Sequence, residues 1–256
     1  MKKIIKYTVL NTLDLLNLSN FIFKNSITDK NLIFMFHDVS NNPKEFFTDN
    51  NLNHSTLNFE KQLNFINSNF KIINPNSLNS YDGSDPTAII SFDDGANSFY
   101  TNASKILLDH NIPSIHFLNY SQINGKVFLP GLIGYIMKYE KKIAELISIT
   151  NIQNLDLNVL NKISKKELIK LIRDSREYYG SFMNNNQINE LDNKNIFFWG
   201  NHLFRHLNTV NLKDYELIGE FKKNDFFLKK LKSYNSYFSY PLIQMNQRYN
   251  PTANEI

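Results

Sequence analysis

The chain contains no cysteine. That absence excludes disulfides, iron–sulfur clusters, a cysteine nucleophile and thiolate-bound zinc, and it leaves any metal to be held by His, Asp and Glu. The compartment stays open on this ground alone. The chain also lacks an arginine-rich block and any interleaving of aromatic and basic residues, and its net charge of +4 is spread out. Nucleic acid is therefore not an expected partner. No segment is apolar enough for a confident membrane span. The first stretch, "MKKIIKYTVLNTLDLLNLSNFIFK", starts with basic residues, but Asp14 and several Asn interrupt it and no small-residue cleavage site follows. Residues 1–30 thus read as an N-terminal helical extension rather than a signal peptide, which favours the cytoplasm or the membrane periphery.

What is present is the composition of an ordinary folded protein. The 256 residues are 42% hydrophobic and 20% charged, enough for one large α/β domain or two small ones. From residue 32 apolar runs and amphipathic stretches alternate. "LIFMFHDV", "FKIINP", "TAIISFDDG", "IPSIHFLNY", "NIFFWGNH" and "SYFSYP" read as strands. Between them, "STLNFEKQLNFINS" places Phe59, Leu63 and Ile66 at i, i+4 and i+7 behind a cap at Ser55 or Thr56, which predicts a helix. "ANSFYTNASKILLDHN" puts Phe99, Ala103, Ile106 and Leu107 on one helical face. Residues 131 to about 185 read as a mostly helical insertion, and "LKDYELIGEFKKNDFFLKKL" as a charged helix. Short joins between strand, helix and strand make right-handed βαβ units and hence a parallel sheet, open or barrel-like, in one domain over residues 31–256.

In such folds the chemistry collects at the C-terminal ends of the strands. Those ends carry His37 and Asp38, Asp93 and Asp94, and His202. "AIISFDDGANSFY" drives a buried strand into two adjacent carboxylates, which repel each other unless a cation or a proton compensates. A helix N-cap at Asp94 explains one of them and not the other. In "FFWGNHLFRHLN", His202 and His206 are four apart, so one helical turn gives their rings a shared face able to grip one ion. Together the two stretches suit a divalent cation held by one aspartate and two histidines, with a position left for water and the second aspartate free as a base. Zn²⁺ is the default for that ligand set, with Co²⁺, Ni²⁺ and Mn²⁺ as alternatives.

The order of these motifs resembles the polysaccharide deacetylase family, the NodB-homology domain of carbohydrate esterase family 4. "LIFMFHDVS", "NFEKQLNFINSNFKII", "FDDG", "ASKILLDHNIPSIHF", "INELDNKNIFFWGNHLFRH" and "YFSYP" follow one another in the family's sequence over about residues 30 to 250. The resemblance implies an irregular (β/α) barrel, incomplete at its C-terminus. It also implies hydrolysis of N-acetyl groups on an amino-sugar polysaccharide or its precursor. By position it makes Asp93 the general base and Asp94, His202 and His206 the metal ligands. The backbone N–H of Leu242 becomes an oxyanion donor, and Tyr240 a substrate contact. His37, from its own place at a strand's C-terminal end, is expected to contact substrate or partly replace a leaving-group acid, or else to make a buried hydrogen bond to a neighbouring loop.

The chain departs from the pattern at four places. The family's Arg-x-Pro-Tyr-Gly segment, whose Arg orients the base, is here Ser239-Tyr240-Pro241-Leu242-Ile243. Leu203 replaces a Ser or Thr, and His116 stands in a strand where the family has an aromatic, as a core residue. No Leu-x-His segment follows "YFSYP" before the last residues, "RYNPTANEI". Two other functions stay open on the sequence: a family member that binds sugar without turnover, and a metal-dependent hydrolase of small non-sugar amides. The oligomeric state is not legible.

Overall fold

The computed structural model describes residues 31–80, 85–141, 143, 163–209 and 212–241. The helix expected within residues 1–30, part of the expected 131–185 insertion, and Leu242 lie outside these residues. The described strands, in chain order, are β1 (Asn31–Phe36), β2 (Asp38–Val39), β3 (Asn53–His54), β4 (Lys71–Ile72), β5 (Thr87–Phe92), β6 (Ser114–Leu118), β7 (Phe197–Asn201) and β8 (Tyr234–Phe238). All pairings among them are parallel. The main sheet runs β1-β5-β6-β7-β8 with β4 also beside β5, while β2 and β3 form a separate pair. Among the described residues the sheet is not closed, and β1 and β8 are its edges.

Burial follows from position in the sheet. Every residue of β5 and of β7 is buried, as expected for central strands covered on both faces, which explains why they read as continuous apolar runs. At the edge, β1 alternates instead, leaving Ile33 and Met35 exposed.

The helices, in order, are α1 (Glu45–Asp49), α2 (Thr56–Asn69), α3 (Ser104–Asp109), α4 (Tyr120–Ile123), α5 (Leu129–Tyr139), α6 (Lys165–Tyr179), α7 (Asn185–Asp192) and α8 (Asp214–Leu228). Ser55 caps α2, its side chain accepting from the Asn58 N–H at 3.2 Å, and the helix buries Phe59, Leu63 and Ile66 as their spacing predicts. A π-helical turn over Phe99–Ala103 runs into α3, and Phe99, Ala103 and Leu107 are buried in the main core. The sequence reading passed over α7, because Asn-rich text resembles a loop. Its start is fixed by a capping box in which Asn184 and Gln187 satisfy each other's backbone N–H groups.

Helices α5 and α6 bury Leu132, Ile136 and Leu171 between them. Their contact needs Gly131: a Cβ there would stand 2.4 Å from the Tyr179 ring. An aromatic cluster of Phe46, Phe47, Phe128, Tyr178 and Tyr179 then joins them to α1. His116 is a core residue, 1% exposed and ringed by Phe92, Phe99 and Trp199. Burial pushes its imidazole pKa down to about 3, so the ring is neutral.

Because the strands are parallel, their C-terminal ends share one rim. β1 delivers His37 and Asp38 there, β5 delivers Asp93 and Asp94, and β7 delivers His202.

Candidate metal centre and active site

The turn after β5 is tight and left-handed. Asp94 has φ 71° and Gly95 φ 80°, and the Gly95 N–H donates to the Asp93 carbonyl at 2.9 Å. A Cβ on Gly95 would press on Leu118 at 3.1 Å, so the turn requires glycine twice over, for its φ and for its space. A non-glycine residue at positive φ costs of order 1–3 kcal/mol, a strain that concentrates at functional sites. Here it turns two neighbouring carboxylates toward different partners. Asp93 Oδ2 accepts from the Ser239 hydroxyl at 3.1 Å and lies 3.9 Å from His202 Nε2. Asp94 Oδ1 lies 2.8 Å from His206 Nε2 and 3.4 Å from His202 Nε2.

The paired histidines meet by a route different from the expected helical turn. Residues 202–206 form a loop, with Leu203 at φ 61° and His206 at φ 55°. These two left-handed residues fold the chain back, so the rings still meet edge to face with centroids 4.9 Å apart. The segment cannot continue as a helix because its backbone bonds outward; the His202 N–H, for example, donates to the Leu118 carbonyl at 3.2 Å. Phe128 packs its ring edge-on against His206, with centroids 5.3 Å apart.

The site is dry. Asp93, Asp94, His202 and His206 are all buried, none more than 6% exposed. Burial alone pushes Asp94 up, but the His206 charge and contacts with both imidazoles outweigh it and hold the carboxyl well below its ordinary range. Burial likewise disfavours a charged His202, yet Asp93 and Asp94 together raise its pKa.

The donor atoms fit a cation. One ligand atom each from Asp94, His202 and His206 lies within 4.8 Å of the others. His202 Nδ1 donates to the Ser239 carbonyl at 2.8 Å, which turns Nε2 toward the Asp94 carboxylate. Asp93 Oδ1 is buried without a hydrogen bond among the described residues, and the partners of Asp94 Oδ1 are the two imidazoles alone. One carboxylate and two imidazoles are the donor types found in three-ligand sites that keep a position open, and Asp94, His202 and His206 could hold such an ion.

Of the other expected site residues, His37 is half-buried, and its charge reaches Asp94 and His116. Tyr240 is partly exposed at the exit of β8, its ring 4.4 Å from Phe238. The sequence reading missed Ser239. Its hydroxyl holds Asp93, its carbonyl orients His202, and its N–H donates to the Asn201 carbonyl at 3.0 Å. The available signal was its place in the Ser-Tyr-Pro segment, where the family pattern has its orienting Arg. Ser239→Ala removes one hydrogen bond to a buried carboxylate and keeps the carbonyl behind His202. Turnover should fall about 10- to 100-fold, matching the roughly 1.5–3 kcal/mol of a charge-assisted bond, while metal affinity stays unchanged. Steady-state kinetics and a metal-competition titration on the same preparation check both halves.

The family model for polysaccharide deacetylase matches residues 80–256, more than half of the chain, and the chain belongs to that family. No curated protein matches its sequence. Among solved structures, IcaB from Ammonifex degensii has a TM-score of 0.54 at 16% identity, covering 82% of this chain and 73% of its own. The Streptococcus pyogenes deacetylase PplD, in complex with acetate, has a TM-score of 0.51 at 16% identity, covering 86% and 75%. BA0330 from Bacillus anthracis gives 0.49 at 14% identity, and the chain spans 50% of that protein's length. The fold is thus a parallel α/β fold of the deacetylase barrel type with an open sheet.

Proposed function

We propose that this chain is a metal-dependent hydrolase that removes N-acetyl groups from an amino-sugar polysaccharide or its precursor. The observation carrying the reading is the buried Asp94–His202–His206 cluster, with Asp93 held apart by Ser239. A divalent cation bound there, most simply Zn²⁺, supplies Lewis acidity that polarises an acetyl carbonyl and makes water acidic.

The protein's own groups do the rest. Asp94, His202 and His206 supply one negative charge and two neutral donors. Among the described residues Asp93 Oδ1 has no hydrogen-bond partner, so that atom can take the proton of an attacking water while Ser239 holds Oδ2 still. His37 is the further histidine whose charge reaches the cluster, and it contacts the sugar or returns a proton to the departing amine. The reaction consumes one water, breaks the amide C–N bond and yields acetate and a free amine. Tyr240 borders the sugar, and the Leu242 N–H receives the developing oxyanion. Among the described residues no helix is long and apolar enough to cross a membrane, and we place the chain in the cytoplasm or at a membrane face.

Purified protein supplied with Zn²⁺ or Co²⁺ should release acetate from N-acetylglucosamine oligomers, with a loss of at least about 10-fold in His37→Ala. Undiminished turnover in that variant removes the role of His37. Release from small amides but not from sugars refutes the polysaccharide assignment. Metal binding with no acetate from any glycan refutes the hydrolase assignment.

A further inference from the structure

The loop that carries both histidines is shaped from outside itself, from two sides. At the end of β6, Asn119 Nδ2 donates to the His202 carbonyl and, at 2.9 Å, to the Leu203 carbonyl, and the Ser121 N–H donates to the Phe204 carbonyl at 3.1 Å; α8 holds the other side. A helix that packs on a sheet ordinarily buries apolar residues. Beside Leu228, α8 also buries Glu220 and Asn224, four residues apart and so on one face, at 5% and 0% exposure. A buried carboxylate and a buried amide are costly unless fully bonded, so their partners reveal what they are for.

Asn224 sits at a junction of strand ends. Its Nδ2 donates to the Leu118 carbonyl at 2.7 Å and to Asn201 Oδ1 at 2.9 Å, and its Oδ1 accepts from the Tyr120 N–H at 2.9 Å. Asn201, itself fully buried, passes the contact on: its Oδ1 accepts from the Leu203 N–H at 2.9 Å, and its Nδ2 returns to the Phe221 carbonyl of α8 at 3.1 Å. Glu220 grips the far side of the loop. It accepts from the Arg205 backbone N–H at 2.9 Å and from the Arg205 side chain at 2.8 Å and 2.7 Å. The two bonded positions, Leu203 and Arg205, follow His202 and precede His206. Leu203 and His206 are also the two left-handed residues, a conformation that lasts only where the surroundings over-determine it.

We infer that Glu220 and Asn224 are positioning residues that hold the His202–His206 loop in its ion-gripping shape and thereby set the affinity of the site for its cation. This rests on the metal-site reading above. In Glu220→Ala and Asn224→Ala, Zn²⁺ affinity falls about 10- to 100-fold, the range for partners one layer behind the ligands. The visible spectrum of the Co²⁺ form changes with it, and Glu220→Gln recovers part of the loss.

The test is a Zn²⁺ competition titration against a chromophoric chelator on wild-type and variant chains. Co²⁺ spectra and thermal melts in EDTA are recorded on the same samples. Folded Ala variants that bind Zn²⁺ as tightly as wild type, with an unchanged Co²⁺ spectrum, overturn the inference. If an Ala variant fails to fold, Arg205→Ala decides. It strips the side-chain half of the Glu220 grip from a partly exposed residue, and undiminished affinity there is equally fatal. A wild-type chain that binds no metal overturns the metal-site reading itself, a result distinct from either.

Discussion

Asp93→Asn protein is expected to bind Zn²⁺ like the wild type and to lose acetate release by about 10²- to 10⁴-fold, the span attributed to a positioned general base. The geometry makes this a clean separation. Asp93 Oδ2 is 3.9 Å from His202 Nε2 and is held by Ser239, whereas the nearer carboxylate oxygen belongs to Asp94. The Asn side chain is nearly isosteric and keeps an acceptor for the Ser239 hydroxyl, so the site should stay folded while the proton acceptor is lost. Matching metal titrations with a collapse in kcat bear this out. A parallel loss of metal affinity would mean that Asp93 is itself a ligand, and the division of labour within the turn would be wrong.

Replacing Asp94 should do the opposite. Asp94→Asn removes the charge at the centre of the cluster, and Zn²⁺ affinity should fall by more than the roughly 100-fold that marks changes one layer further out. Acetate release should disappear with it, and excess metal should restore part of the activity. The same pairing sets a pH dependence in metal-free protein. Asp94 ionises in the folded state well below its ordinary value, so its contribution to stability is present above the unfolded carboxylate pKa and is lost as pH falls through the folded one. The folded pKa of His202 is raised, so its contribution is complete below the unfolded value of 6.5 and is lost as pH rises through the folded one. Metal-free protein should therefore melt highest in weakly acid solution and lose stability toward alkaline pH. Zn²⁺ should displace the imidazole proton and stabilise most at the alkaline side. Melting curves across pH with and without Zn²⁺ measure both trends, and a metal-induced shift independent of pH would remove the proton from this account.

Legibility in the sequence followed the kind of constraint involved. The strands β5 and β7 and the helix α2 were readable because burial on fixed faces writes a period into the text, and the Ser55 cap wrote its own boundary. The helix α7 was not, since Asn and Gln report capping only when the next turn is known to be helical. Asp93 and Asp94 stood out because two adjacent carboxylates at a strand end need an explanation. Ser239 gave only a positional signal, its place where the family pattern has an orienting Arg; its role shows once its hydroxyl and carbonyl reach two different site residues. The four-residue spacing of the histidines predicted that their rings would meet, and they do, through a left-handed loop in place of the expected helical turn.

The order of chemical groups along the chain was set by the sequence itself: acidic turn, then histidine pair, then the Ser-Tyr-Pro segment, each after a strand of a parallel sheet. Which carboxylate faces the imidazoles, how those rings meet, and why a charged helix buries Glu220 and Asn224 were decided only in three dimensions. The reason is physical. Periodicity records which side of an element is covered, whereas the aim of a single side chain depends on a positive φ and on hydrogen bonds to residues far along the chain, 146 positions apart for Ser239 and Asp93.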